Sequence, residues 1–403
     1  MAVPTAARQL GLVAAIQVLA LTTWFAASAV APVLRDAWDV GRTGEALLTV
    51  GVQVGFVAGA LASAATNLAD RFSPPRLMGV GAGLAALATL LTALAVDSTG
   101  PAVVLRLVTG FALALVYPVG MKVVVSWFED RRGLAVGVVV GALTLGSLLP
   151  RLLAGSVGDA WRTVLVVSAV LGLLAAVLQS WVRMGPLVGR AESFRPRVAL
   201  DIMRERAPRL ANLGYLGHCW ELYAIWAWAP AYVVASTTSR GEPASPLAVG
   251  VVVFVAFGVC GVLGCLGAGW LGDHWGRARS AWAAMLVSGG CCLLAAVGFG
   301  APLWLLVPLL VVWGTTVIAD SAMFSACLGT VVDPRYVGTA LTLQTALGFL
   351  MTVPSILLVP VVADAWGWPA ATSMLAVGPL LGAVAMIRLS PLVSAVPAPV
   401  SAR

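Results

Sequence analysis

Residues 214–234 read GYLGHCWELYAIWAWAPAYVV, an apolar and aromatic run interrupted by His218 and Glu221. A run of about 20 such residues crosses a bilayer as a helix. A carboxylate inside it costs ~2.5 kcal/mol or more on insertion, so it is rarely idle. At helical spacing His218, Glu221, Ile225, Trp228 and Tyr232 fall within about 80° of one another. Such a face is expected to turn from lipid and line a cavity around which the other helices are arranged.

The rest of the chain obeys the same constraint. Hydrophobic residues make up 60% of the 403 residues and charged ones 10%, against about 25% charged in soluble domains. Hydropathy predicts twelve spans, at about 10–33, 45–67, 76–96, 102–125, 133–157, 161–183, 211–235, 246–270, 279–299, 302–326, 337–361 and 369–388. The first is read as a spanning helix, since no small-residue cleavage site follows it.

The net charge of +7 raises the question of a nucleic-acid partner. Its placement argues against one. Of the 24 basic residues, 17 fall in segments read as inside, four in loops read as outside and three within spans. That bias is the positive-inside rule, and it puts both termini in the cytoplasm of a protein of the cell's inner membrane. The six cysteines all lie in apolar runs of the second half, in neither a zinc nor a disulfide pattern. Residues 184–210, rich in charge, read as a cytoplasmic link with an amphipathic helix around Val198–Arg206. It joins an N-terminal bundle (1–183) to a C-terminal one (211–388), and 389–403 reads as a disordered tail.

The two bundles repeat. A shift of about 204 residues places Gln17 on Glu221, Trp24 on Trp228, Ser28 on Tyr232, Gly110 on Gly314 and Arg131 on Arg335, and one of about 203 places Asp70 on Asp273. Six spans per half is an even number, so the copies share orientation as parallel repeats.

The turn after the eighth span, Gly269-Trp-Leu-Gly-Asp273-His-Trp-Gly276-Arg277-Ala-Arg279, resembles the cytoplasmic loop signature of the major facilitator superfamily. The turn after the second span, Thr66-Asn-Leu-Ala-Asp70-Arg71-Phe-Ser-Pro-Pro-Arg76, is a degraded copy in which Thr66 replaces the glycine and Pro74-Pro75 the Gly-Arg. Arg106-Leu-Val-Thr-Gly110 is similar to an intramembrane element of the same family. The glycines Gly137, Gly141 and Gly146 resemble its antiporter motif without that motif's Gly-Pro pair, and close packing explains them equally well. The resemblance covers essentially the whole chain. It implies an all-α membrane protein of twelve helices in two pseudo-symmetric six-helix bundles, rocking about a site made by spans 1, 4, 5, 7, 10 and 11. Asp70, Arg71, Arg76, Asp273, Arg277 and Arg279 then form a conformational latch.

Few ionisable side chains lie deep in spans. Glu221 and Asp320 are expected within roughly 3–6 Å of the midplane, and Arg106 and Arg151 roughly 9–12 Å toward the outside. Glu221, three residues from His218, is the first candidate for proton coupling, with Asp320 second and His218 as relay. Structural hydrogen bonding is the ordinary alternative for all three. Arg106 and Arg151 offer planar forks suited to an anion, or they snorkel to the interface. Tyr117 shares a face with Arg106, while Gln17 and Trp24 take the repeat positions of Glu221 and Trp228. With Trp228 and Tyr232 these residues make the candidate substrate site. Lys122 is expected to snorkel.

Neither a metal cluster nor a nucleotide loop nor a catalytic triad is visible, so neither a cofactor nor an enzyme is expected. The reading is a monomeric secondary transporter whose partners are a small molecule, protons and the lipid bilayer. It carries a small anion by proton-coupled alternating access. The alternative is a proton-driven efflux pump for hydrophobic or cationic drugs. A sensor or scaffold on the same frame would need soluble domains or long loops.

Overall fold

The computed structural model describes residues 2–39, 41–128, 132–187 and 196–394. Among them every regular element is a helix, as lipid demands of backbone groups that must be satisfied within their own segment. The first half holds α1 (Ala2–Ala29), the short α2 (Ala31–Trp38), α3 (Arg42–Thr66), the single turn α4 (Leu68–Arg71), α5 (Pro74–Ala95), α6 (Thr99–Leu113), α7 (Tyr117–Val125), α8 (Arg132–Val157) and α9 (Trp161–Leu178). After α10 (Pro196–Arg204) the second half holds α11 (Arg206–Ser239), then α12 (Pro246–Val253), which runs through one π-helical turn into α13 (Cys260–Trp275). It ends with α14 (Arg277–Val297), α15 (Leu303–Thr316), α16 (Ser321–Val331) and α17 (Val337–Ser394).

Ten stretches among the described residues are long and apolar enough to cross a membrane. Two features bear on the expected twelve. The last stretch, α17, turns at Gly367, where φ is +82° and only glycine is unstrained, so two helices meet there. The 34-residue α11 is not among the ten. His218, Glu221 and its tryptophans and tyrosines hold its mean hydropathy down, although its apolar run is still long enough to be read as a span. Large apolar side chains face outward, among them Leu94, Val297, Trp304 and Leu381, as on a surface solvated by lipid.

The repeat is a repeat of contacts. A Cβ placed on Gly110 would lie 2.0 Å from the Val52 carbonyl oxygen, and one on Gly314 would lie 2.0 Å from that of Ala256. Both members of the second pair stand one shift of about 204 beyond the first. Gly59 against the Phe111 carbonyl and Gly264 against that of Thr315 repeat in the same way. These positions let helix backbones touch, which is how helices associate where lipid offers no hydrophobic drive.

Helix α10 occupies the expected amphipathic stretch of the link, with Val198 and Ile202 packed on the second half's interior. In the expected tail, 389–394 continue α17, while 395–403 lie outside the described residues. Arg131, the expected counterpart of Arg335, also lies outside them; Arg335 itself pairs with Asp333 at 2.7 Å.

Candidate functional site

Each half has one spanning segment broken near its middle. Between α6 and α7 the chain turns at residues 114–116, and between α15 and α16 it turns at 317–320, again one repeat apart. The first break is met by Gln17 of α1, whose Nε2 donates to the Val116 carbonyl at 3.2 Å. The second is met from α11, the counterpart of α1. There His218 Nδ1 stands 2.7 Å from Asp320 Oδ1, with both side chains buried. Tyr215 and Phe324 flank the imidazole at 6.0 and 5.4 Å between ring centroids. A neutral contact in one half thus becomes an ionisable pair in the other.

Glu221 is not His218's partner. Its Oε1 accepts from Ser288 Oγ at 2.6 Å, Trp313 Nε1 at 2.6 Å and Cys292 Sγ at 3.2 Å, all from α14 and α15. The carboxylate is therefore turned into the second half rather than toward the first. Trp228 and Tyr232, expected at the substrate, turn the same way. Trp228 Nε1 donates at 3.0 Å to the Ile356 carbonyl, which Pro360 leaves without its usual helical donor. The Tyr232 hydroxyl donates at 2.7 Å to the Ala295 carbonyl in the last turn of α14. The face reasoned from helical spacing is real, but it packs inside its own bundle. Helical period says which residues travel together, and the donors on neighbouring helices decide which way they point.

The opposite face of α11 meets the first half. Tyr223 lies 6.0 Å from Trp24 and 6.3 Å from Phe25, and Trp226 lies 6.1 Å from Phe25. Phe349 of α17 lies 5.6 Å from Trp24 and 4.4 Å from Phe56 of α3. Six rings from four helices thus close the seam at its centre. Of these only Trp24 is among the residues expected at a site; an aromatic side chain on a spanning helix is more often a packing residue or an interfacial anchor than a ligand contact. The signal that could have found Tyr223 and Trp226 is their place on α11 opposite Glu221.

Both buried arginines reach α1 through its carbonyls. Arg106 Nη2 donates to the Thr23 carbonyl at 2.7 Å and to that of Trp24. Arg151 Nη1 donates to Ser28 at 2.7 Å, and its Nη2 donates across the seam to Trp226 and Ala227 at 3.3 and 2.9 Å. Neither snorkels; Arg106 is 0% exposed. Among the described residues, Arg106 Nε and Nη1, both side-chain polar atoms of Gln53, and the indole nitrogens of Trp24 and Trp226 are buried without a hydrogen-bond partner.

The Major Facilitator Superfamily model matches residues 13–348. The chain belongs to that superfamily. Among solved structures it is similar to the crystal structure of the nucleoside transporter NupG, a point mutant, with a TM-score of 0.73 and 14% identity over 95% of this chain and 99% of that one. No curated protein matches it. The chain is thus an integral membrane protein with a transporter family's fold.

Within this facilitator fold the two signature loops differ in state. Asp70 pairs with Lys122 of α7 at 2.7 Å rather than with Arg71 or Arg76, and Lys122 also donates to the Ala69 carbonyl at 3.0 Å. Lys122 is therefore an ion-pair partner and does not simply snorkel. A cavity of about 260 Å³ adjoins the pair, walled by Asn67, Asp70, Pro118 and Lys122 on one side and by Gly338, Thr339 and Thr342 of α17 on the other. Tyr117, half-buried, opens α7 next to Pro118. In the second loop both carboxylate oxygens of Asp273 lie 3.6 Å from where a Cβ on Gly133 would sit. That is the first turn of α8, where a helix favours negative charge. Arg277 and Arg279, like Arg71 and Arg76, are exposed. One loop therefore rests on the opposite half, while its copy faces that half across a cavity.

Proposed function

We propose that this protein is a secondary active transporter that carries a small organic or inorganic anion by proton-coupled alternating access. It would lie in the cell's inner membrane with both termini cytoplasmic, so that the cavity beside Asp70 opens inward. Residues 1–183 and 211–388 serve as the moving bundles in this reading, joined by 184–210. Arg106 is the observation that carries it. Arginine stays charged under all physiological conditions, and this one is wholly buried, donates to backbone carbonyls alone, and has two nitrogen groups unpartnered among the described residues. A buried cation calls for a counter-charge, and a substrate anion supplies one at the seam beside Trp24, with Gln17 and Tyr117 toward the inner end. Protons are assigned to His218 and Asp320, with Glu221 fixing the helix that carries His218. The signature loops supply the latch, through Asp70 with Lys122 and through Asp273 on α8.

One observation favours a second reading. The six rings at the seam would suit a hydrophobic cation, as in a drug efflux pump. Purified protein in liposomes with an imposed pH gradient, tested with nitrate, lactate and benzoate against tetraphenylphosphonium and ethidium, separates the two. Gradient-driven movement of an anion, lost in Arg106→Gln, is expected. Movement of the cations alone, unaffected by that substitution, would replace the first reading with the second.

A further inference from the structure

Arg151 joins three backbone carbonyls, and two of them share a chemical peculiarity. In an α-helix the carbonyl of residue i accepts from the N–H of residue i+4, and proline has no N–H. Residue 32 is proline, so Ser28 has no such donor, and residue 230 is proline, so neither has Trp226. Ser28 lies at the end of α1 and Trp226 in the middle of α11, on opposite sides of the seam. The guanidinium between them gives Nη1 to Ser28 and Nη2 to Trp226, with the neighbouring Ala227 carbonyl sharing the second nitrogen. The backbone beneath is equally tight. A Cβ on Gly250 of α12 would lie 2.8 Å from Arg151's own carbonyl oxygen, and one on Gly155 would lie 2.7 Å from that of Pro246.

We infer that Arg151, Pro32 and Pro230 form a clamp that shuts the end of the transport path remote from the Asp70 cavity. Pro230 within α11, and the end of α1 with Pro32 just beyond it, leave one bare carbonyl on each half, and Arg151 bridges them only when the halves meet at this end. When they part, its bonds to α11 are lost while the bond to Ser28 remains, so the arginine stays with the first half and the Trp226 carbonyl must find water. The clamp's hydrogen bonds all go to backbone carbonyls, with Glu45 of α3 the carboxylate whose charge bears on it. That gives Arg151 a gating role in place of substrate contact. The inference rests on alternating access but on no particular substrate.

Hydrogen–deuterium exchange of the full chain in lipid nanodiscs tests it without any solute. In Arg151→Gln, exchange in peptides covering residues 31–38 and 240–245 should rise about tenfold, the population change that follows loss of one charge-assisted hydrogen bond. Exchange in peptides covering 67–73 and 337–342 should fall, because opening one end closes the other. Pro32→Ala and Pro230→Ala return an N–H to Ser28 and Trp226, and each should move both ends in the same directions by a smaller factor. These two also carry the test if Arg151→Gln does not fold. Arg162→Gln, which removes bonds to Ala93 and Asp97 within the first half, should leave the balance unchanged. A rise confined to α11, a rise at both ends, or no change in the proline variants would each overturn the clamp. A solute panel that fails entirely would leave this result standing, so the two readings fail separately.

Discussion

Replacing Glu221 separates a structural carboxylate from a proton-carrying one. Three donors converge on its Oε1, and Trp313 and Ser288 are both essentially inaccessible. Glu221→Ala strands the indole N–H and the hydroxyl, each at about 1–3 kcal/mol, while the weak thiol donor adds little. Loss of about 2–6 kcal/mol follows, a fall in melting temperature of roughly 2–7 °C in detergent. Glu221→Gln keeps a carbonyl oxygen for Trp313 and loses only the charge assistance, about 1–2 kcal/mol. Transport by Glu221→Gln, measured in liposomes across a range of pH, should keep the native pH profile at reduced protein stability. Asp320→Asn should flatten that profile at near-native yield. The reasoning is refuted if Glu221→Gln melts like the native protein yet transports without regard to pH.

Other consequences follow from single contacts. Gly314→Ala would set a methyl 2.0 Å from the Ala256 carbonyl, so α15 and the π-helical turn must part at a cost of about 1–3 kcal/mol, seen as a lower melting temperature. Trp228→Phe removes the donor to the Ile356 carbonyl and should destabilise by about 1 kcal/mol, without altering substrate selectivity. Lys122→Gln breaks a partly exposed pair with Asp70. It should shift melting by no more than about 1 kcal/mol while changing the rate of exchange between inward and outward states, measured by counterflow.

Much of the fold was legible because lipid leaves the backbone few choices. Apolar runs of helical length gave the spans, and the shift that aligns Gly110 with Gly314 reappears as the same backbone contact in both halves. The site was less legible. Sequence spacing put His218 and Glu221 on one face, yet Asp320 takes the histidine and α14 and α15 take the acid. Those donors stand 67 and 92 residues away in the chain, beyond the reach of any periodicity. The partner of Lys122 was hidden for the same reason, Asp70 being 52 residues distant. The bare carbonyls at Ser28 and Trp226 were present in the sequence as Pro32 and Pro230, but nothing local marked Arg151 as the donor to both.

Duplication explains why the acid sits in one half only. Shifted back by one repeat, the three donors around Glu221 fall on Leu84 for Ser288, Ala88 for Cys292 and Thr109 for Trp313. The first half therefore offers its counterpart, Gln17, neither the indole nor the hydroxyl on α5 that would hold a carboxylate. Gln17 instead uses its amide hydrogens on the Val116 carbonyl, a task that an ionised acid cannot perform because it has no hydrogen to give. Gln17→Glu should accordingly be tolerated only when protonated, since then its hydroxyl can donate to Val116. Its melting temperature should be near native in acidic buffer and fall as the buffer is made alkaline, whereas the native chain should show no such trend from this position. Equal stability at both extremes would mean that the first half can shelter a charge after all, and that the placement of Glu221 owes nothing to the donors around it.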